Sequence, residues 1–410
     1  MNQQIKNGDW QAMKHKYIIA AAMALCVGSA HAQVAEQQQD QGHPGIQQAE
    51  RRVEAEKDAR QGVELPSTIT LYGIIDTGVE YVTNVGPRGK SLARMPTNTA
   101  GVPSRWGIRG QENLGDGLLA IFVLESGFAP NNGTLGQGGR LFGRQAFVGL
   151  SGRWGTLTLG RQYTMLAWGL IDADLLGPAV FASASMDSYL ANARADNAIA
   201  YRGTFSGVTV GAMYSFGRDG ANGGPSPAGT NCAGQSAGDS RACREWSALL
   251  KYDASSFGVA LAADQIRGGP GAFGGLTRSS LSDTRLSANG YFTVGKLKVG
   301  GGLLHRNNEG SAATPKSDLW YLGAAYTLTP SWIIDGEAFR ITFKNSDNKA
   351  TMGVVRATYV LSKRTTVYAM GGRIYNDGSL ALSISGGGPG STPPPGGAQT
   401  GVMMGMRHTF

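Results

Sequence analysis

The sequence predicts an all-β protein, a sixteen-stranded antiparallel β-barrel that spans a membrane. Composition, residue alternation and the lengths of the connections all indicate it. Glycine supplies 62 of the 410 residues, which disfavours helices, because glycine in a helix interior costs about 1 kcal/mol relative to alanine. The mean hydropathy is −0.18, and no apolar stretch reaches the roughly 18 residues of a transmembrane helix. A bundle of membrane-spanning helices is therefore excluded.

The first 32 residues show the pattern of an export signal that is cleaved from the mature protein. We expect the chain to start at Met13, because the residues before it are polar and include Asp9. A basic segment at 14–16 precedes an apolar run at 17–27, and Ala-His-Ala at 30–32 is typical of a cleavage site. The apolar run is too short to span a bilayer.

A short polar leader at 33–66 precedes the main body at 67–410. The leader holds 7 acids and 4 bases and lacks aromatic residues, which predicts a solvated helix or a disordered segment. The body is basic, with 30 bases against 21 acids.

Segments of about ten residues in the body alternate between apolar and polar positions. In the last one, Val402, Met404 and Met406 share one face, while Gly405 and Arg407 lie opposite. This period of two predicts strands with one apolar face. Sixteen strands are predicted, near 68–83, 103–113, 117–128, 140–150, 155–163, 196–204, 207–217, 245–253, 257–267, 282–293, 296–306, 317–328, 331–342, 351–361, 364–375 and 400–410.

The connections between these strands alternate between tight turns and long loops such as 164–195, 218–244 and 376–399. An up-and-down barrel with short turns on one rim and long loops on the other produces this pattern. Strands of this length suit a tilted membrane crossing, whereas the strands of soluble sandwiches average about 5–6 residues. Sixteen strands leave an aqueous channel, so the strand number favours transport.

Two cysteines remain after signal removal, Cys232 and Cys243, in a loop rich in small residues. In an exported chain this spacing predicts a disulfide, with two free thiols as the alternative. Neither cysteine has the neighbours that a metal site requires, and no metal or cofactor is expected.

Four stretches resemble the Gram-negative general porin family, especially its trimeric members from beta-class bacteria. They are TLYGIIDTGVEY at 70–81, the segments 104–128 and 142–164, and the terminal GMRHTF at 405–410. The resemblance covers roughly 67–410 and implies a homotrimer of water-filled barrels among outer-membrane lipids. It also implies short periplasmic turns, long extracellular loops and an inward-folded third loop. The terminal Phe410 is similar to the signal by which the outer-membrane assembly machinery recognises barrels.

The resemblance also implies a pore constriction in which acids on the third loop, 164–195, face arginines on the wall. Matched position by position, Arg105, Arg161 and Arg202 are the wall arginines, and Asp172 and Asp174 are the loop acids. Pro-Ala-Val-Phe at 178–181 stands where some members have Pro-Glu-Phe-Gly. One expected acid is therefore missing, which shifts the balance toward positive charge.

The alternation of residues supports some of these assignments. Arg105 and Arg109 lie on the face opposite Trp106, which indicates the lumen, and Arg144 and Glu125 are further lumen candidates. Strict alternation turns Arg161 outward unless its strand contains a bulge. An excess of arginine in a narrow channel concentrates anions and repels cations.

Other classes of function are less well supported. A barrel enzyme needs a nucleophile and a base, but His305 has no recognisable partners, while His408 lies on the apolar face and His43 in the leader. The scattered charges argue against nucleic-acid binding. We therefore predict a passive, weakly anion-preferring diffusion channel for small anionic or neutral solutes. A porin tuned to organic acids and a structural or adhesive barrel remain as alternatives.

Overall fold

A computed structural model describes residues 66–219, 232–234 and 236–410. The predicted signal peptide, 1–32, and the predicted leader, except its last residue Pro66, lie outside the described residues.

The described residues form one closed antiparallel sheet, with 16 long strands and one short strand. The predicted sixteen-stranded barrel is confirmed. In chain order the strands are β1 (Thr68–Val85), β2 (Lys90–Arg94), β3 (Arg105–Gly115), β4 (Leu118–Gly127), β5 (Gln145–Gly152), β6 (Gly155–Tyr163), β7 (Arg194–Phe205), β8 (Val208–Ser215), β9 (Glu245–Asp253), β10 (Phe257–Arg267), β11 (Ser282–Val294), β12 (Leu297–Asn308), β13 (Lys316–Thr329), β14 (Trp332–Phe343), β15 (Lys349–Ser362), β16 (Thr365–Asp377) and β17 (Gln399–Thr409).

The barrel closes on the long strand β1. One side of β1 pairs with β17, from Ile74 opposite Thr409 to Val82 opposite Gly401. Its other side pairs first with β3 and then, toward the loop rim, with the short β2. Closure satisfies the backbone hydrogen-bonding groups within the wall, as a barrel in a bilayer requires.

Residues alternate between the two faces of the wall as the sequence predicts. On the outside, Leu322 and Met404 are 64% and 73% exposed, whereas their neighbours on the inside, Tyr321 and Met403, are buried. An apolar outer face and a polar or packed inner face suit a wall between lipid and an aqueous lumen.

The structure departs from the predicted strands in two places. β5 begins at Gln145 rather than near 140, so the preceding residues belong to a loop. The short β2 was not predicted, because five residues in a loop rich in glycine and proline are too few to show alternation.

The third long loop, between β6 and β7, folds into the barrel. It contains the helix α1 (Met165–Leu170) and two short 3₁₀ turns. Thr164 caps α1 by accepting a hydrogen bond from the Ala167 backbone. In the described part of the chain, no helix is long and apolar enough to cross a membrane.

Backbone contacts fix this loop against the inner wall. The Met165 and Leu176 amides donate to Ser247 Oγ at 2.7 Å and Glu337 Oε2 at 2.9 Å. At Gly300 of β12 the loop backbone comes so close that a Cβ would lie 2.4 Å from the Ala173 carbonyl oxygen. The loop therefore packs against β8–β14, and Phe181 farther along it reaches Gly401 of β17.

Candidate functional site

Two arginines and a tyrosine surround one carboxylate on the inner wall. Arg144 Nε donates to Glu125 Oε1 at 2.8 Å, and Arg105 Nε lies 3.8 Å from Glu125 Oε2. The Tyr72 hydroxyl donates to the same Oε2 at 3.0 Å. Arg105 and Glu125 are fully buried, so these charges act in surroundings that screen them poorly.

A third arginine joins through Tyr163. The Tyr163 hydroxyl accepts from Arg144 Nη2 at 2.5 Å and from Arg194 Nη2 at 2.8 Å. We call Arg105, Arg144 and Arg194 the arginine cluster. It places three positive charges around the single carboxylate of Glu125.

Local chain geometry places these side chains at one level. Arg105 is the first residue of β3, Arg144 directly precedes β5, and Arg194 begins β7. Tyr163 ends β6 and pairs with Arg194 in the sheet. All four lie where the wall meets the folded-in loop.

Arg194 was not among the residues proposed from the sequence. The only available signal was its place at the end of the third loop, where ANARAD shows no alternation. Arg194 is 2% exposed, and its Nε has no hydrogen-bond partner among the described residues.

The other predicted arginines lie outside the arginine cluster. The Arg109 guanidinium is 5.1 Å from the Tyr72 ring centroid, farther toward the turn rim. Arg202 stacks on Trp168 of α1, 3.4 Å from its ring centroid. Arg161 Nη1 instead donates to Asp196 at 2.7 Å.

The position of Arg161 depends on an irregularity of β6. The pairing with β7 shifts register between Gly160 and Gln162. Gly160 has φ +129°, which favours glycine, and a Cβ there would lie 2.2 Å from the Ala146 carbonyl oxygen. The strand therefore contains the bulge on which the lumen assignment of Arg161 depended, but Arg161 binds near the loop rim.

The two predicted loop acids have different partners. Asp172 pairs with Lys251 of β9 at 2.5 Å, on the side away from the arginine cluster. Asp174 accepts from the Gly177 amide at 2.9 Å and from Ser183 Oγ at 2.5 Å. Burial raises the pKa of Asp174 to about 6, despite these hydrogen bonds.

A further loop acid, Asp187, anchors the end of the loop. Its carboxylate accepts from Arg285 Nε at 2.8 Å. Burial opposes the charged form, but the ion pair with Arg285 outweighs it and lowers the pKa of Asp187 to about 2. The Tyr189 hydroxyl lies 2.9 Å from Glu245 Oε1 and 2.6 Å from Asp264 Oδ2, within hydrogen-bonding distance of both, and its single proton is donated to one of them. These contacts fix the same stretch to β9 and β10.

The predicted disulfide between Cys232 and Cys243 is confirmed. Both residues are buried in the fourth long loop, away from the arginine cluster. The terminal Phe410 exchanges backbone hydrogen bonds of 3.0 Å with Gly73, and its side chain is on the outside of the wall.

The arginine cluster borders an open space in the lumen. A cavity of about 750 Å³ has Arg144, Arg194 and Tyr163 on one side. The folded-in loop, including Asp174 and Pro178, forms the other side. A closed, membrane-spanning barrel whose lumen is narrowed by a loop and lined by charge belongs to the class of channel-forming barrels.

Comparison with known proteins agrees with this class. A family model described as Gram-negative porin matches residues 20–379. An outer membrane porin protein of Bordetella pertussis is 30% identical, with 84% of this chain and 94% of that protein covered. Outer membrane porin protein 32 of Delftia acidovorans is 29% identical over the same shares.

Among solved structures, a Comamonas acidovorans protein described as an anion-selective porin shares the fold. It is 24% identical, with a TM-score of 0.69, and the match covers 84% of this chain and all of that one. The chain belongs to the Gram-negative porin family. It is a passive channel of the outer membrane and not an enzyme.

Proposed function

We propose that the channel admits small solutes with a weak preference for anions, and that the arginine cluster sets this preference. The observation that supports it is the excess of three guanidiniums over the one carboxylate of Glu125 in the arginine cluster, of which Arg144 and Arg194 line the cavity. Arg109 and Arg202 add positive charge farther along the same wall.

The physical basis is the focusing of the field in a narrow lumen. Walls of low dielectric confine the field of fixed charges, so the local concentration of anions rises and that of cations falls. The loop acids offset this only in part, because Asp172 and Asp187 are already paired with Lys251 and Arg285. Glu125 remains as the carboxylate inside the arginine cluster.

We propose that Glu125, Asp172 and Asp174 limit the preference rather than reverse it. Asp174 lines the cavity opposite Arg144 and Arg194. Burial raises its pKa above the usual range of an aspartate, so its negative charge is lost more readily as the pH falls. The expected result is a channel that passes anions modestly better than cations, with no effect of these charges on neutral solutes.

The assembly is also a proposal. We propose a homotrimer in outer-membrane lipids, supported by the resemblance of the sequence to trimeric porins and by the apolar outer wall. We further propose that residues 1–32 direct export, that 33–66 form a polar leader, and that Phe410 is read by the barrel-assembly machinery.

The test of ion preference is the zero-current potential of the purified channel in a planar bilayer with a potassium chloride gradient. A potential of the sign set by chloride supports the proposal, and one set by potassium contradicts it. Arg340→Gln is a matched control, since it removes a guanidinium from the exposed outer face of β14.

A further inference from the structure

A second cavity lies below the first in the lumen. It has a volume of about 380 Å³, and Phe147, Thr158 and Arg202 are among its lining residues. These residues lie on β5, β6 and β7, closer to the turn rim than Arg144 and Arg194.

Two aromatic rings separate the cavities. Tyr163 and Trp168 contribute to the walls of both. Their ring centroids are 6.2 Å apart, in an edge-to-face arrangement. A solute that moves from one cavity to the other therefore passes these two rings.

Each ring carries a guanidinium. The Arg194 guanidinium carbon lies 4.3 Å from the Tyr163 centroid, and that of Arg202 lies 3.4 Å from the Trp168 centroid. Positive charge and aromatic surface therefore alternate along the path. Arg194 lines the first cavity and Arg202 lines the second, so both guanidiniums border the path of a ligand carboxylate.

The wall beside the second cavity adds apolar surface. Leu119, Ile121, Val123 and Phe147 form a buried cluster, and strand register places them on the lumen face with Glu125. A hydrated inorganic anion gains nothing from such a surface. An organic anion with an apolar ring buries that ring there.

We propose that Tyr163, Trp168, Arg194 and Arg202 form a subsite for aromatic monocarboxylates within the channel. The carboxylate binds a guanidinium, and the arene packs against the indole and phenol rings. Edge-to-face and offset stacked contacts favour an arene over a saturated ring of similar size. This subsite rests on the proposed anion preference and names the class of organic anion that it selects.

The test compares benzoate with cyclohexanecarboxylate as blockers of the chloride current through single channels. Both carry one carboxylate on a six-membered ring, so they differ mainly in aromaticity. The expected half-blocking concentration of benzoate is about fivefold lower in the wild-type channel. Equal block by the two acids overturns the proposal without the need for any variant.

Two tryptophan variants locate the effect. Trp168→Leu is expected to bring the benzoate preference close to one, because it removes the ring between the cavities. Trp320→Leu is the matched control, since Trp320 lies on the outer face of β13 and is 55% exposed. Retention of the preference in Trp168→Leu, or its loss in Trp320→Leu, overturns the assignment.

Failure of the subsite and failure of the proposed ion preference are separable in the same membranes. The zero-current potential without organic acid reports the arginine cluster alone. Chloride preference with equal block by both acids rejects only the aromatic subsite. Potassium preference rejects the proposed function, and the subsite with it.

Discussion

Replacement of Arg194 by glutamine tests the origin of the proposed ion preference. Arg194 lines the cavity and donates hydrogen bonds to two neutral oxygens, the Tyr163 hydroxyl and the Ala191 carbonyl. Glutamine keeps a polar side chain but removes the charge. The balance of the arginine cluster and Glu125 then falls from three positive charges against one to two against one.

The size of the effect follows from Coulomb's law. A unit charge about 5 Å from an ion contributes about 0.8 kcal/mol at the dielectric constant of water. Salt at about 0.1 M has a Debye length of about 10 Å, which leaves about 0.5 kcal/mol. The charge of Arg194 attracts chloride and repels potassium by the same amount. Its removal therefore changes the free-energy difference between the two ions by about 1 kcal/mol, which changes the chloride-to-potassium ratio about fivefold.

The assay is the zero-current potential of Arg194→Gln beside wild type and Arg340→Gln. We expect the chloride-to-potassium permeability ratio to fall about fivefold in Arg194→Gln and to stay unchanged in Arg340→Gln. A ratio that is the same in all three channels, with intact conductance, would refute the assignment of ion preference to the arginine cluster.

Three further outcomes are expected. Lowering the pH from about 7.5 to about 5 protonates Asp174, whose pKa is about 6, so the chloride preference rises in zero-current potentials. Asp174→Asn removes this pH dependence, and a wild-type channel without it contradicts the role of Asp174. Gly300→Val pushes the Ala173 carbonyl from the wall, which lowers the conductance and costs about 1–3 kcal/mol of stability in thermal unfolding. The control Gly353→Ala has open space at its Cβ and leaves conductance and stability unchanged. Equal effects of the two variants count against the loop contact. Cys243→Ser removes the disulfide, so limited proteolysis cuts the fourth long loop faster while the zero-current potential stays the same. Equal cleavage rates in the variant and wild type argue against a stabilising role of the disulfide in this loop.

The strands were predictable because the membrane imposes a strict rule on them. Each wall residue faces either lipid or lumen, so apolar residues recur every second position, as Val402, Met404 and Met406 show on β17. The same rule placed Arg105 and Glu125 on the inner face, where the structure has them 3.8 Å apart.

The contacts of the third loop were not predictable, because they join residues far apart in the chain. Asp172 pairs with Lys251, and Asp187 with Arg285, after the loop has folded against the opposite wall. The alternation of residues along a strand gives no information about such distant partners. Arg194 was missed for a related reason, since it follows the loop before alternation resumes on β7.

Irregular backbone limited the prediction in a different way. A bulge at Gly160 changes which face the following residues take, and strict alternation does not reveal it. Tyr163 ends the strand shortly after this bulge, and Trp168 lies in α1, which follows. The place of this aromatic pair between two cavities emerges only when α1 is seated inside the barrel.

The most direct test of the account is to observe where ions bind inside the lumen. Anomalous diffraction from crystals of the channel soaked in bromide locates anions without an assumption about the path. We predict a bromide ion in the larger cavity at hydrogen-bonding distance from Arg144 or Arg194. Bromide found only on the outer loops, or caesium in that cavity after a matched soak, would contradict an anion path set by the arginine cluster.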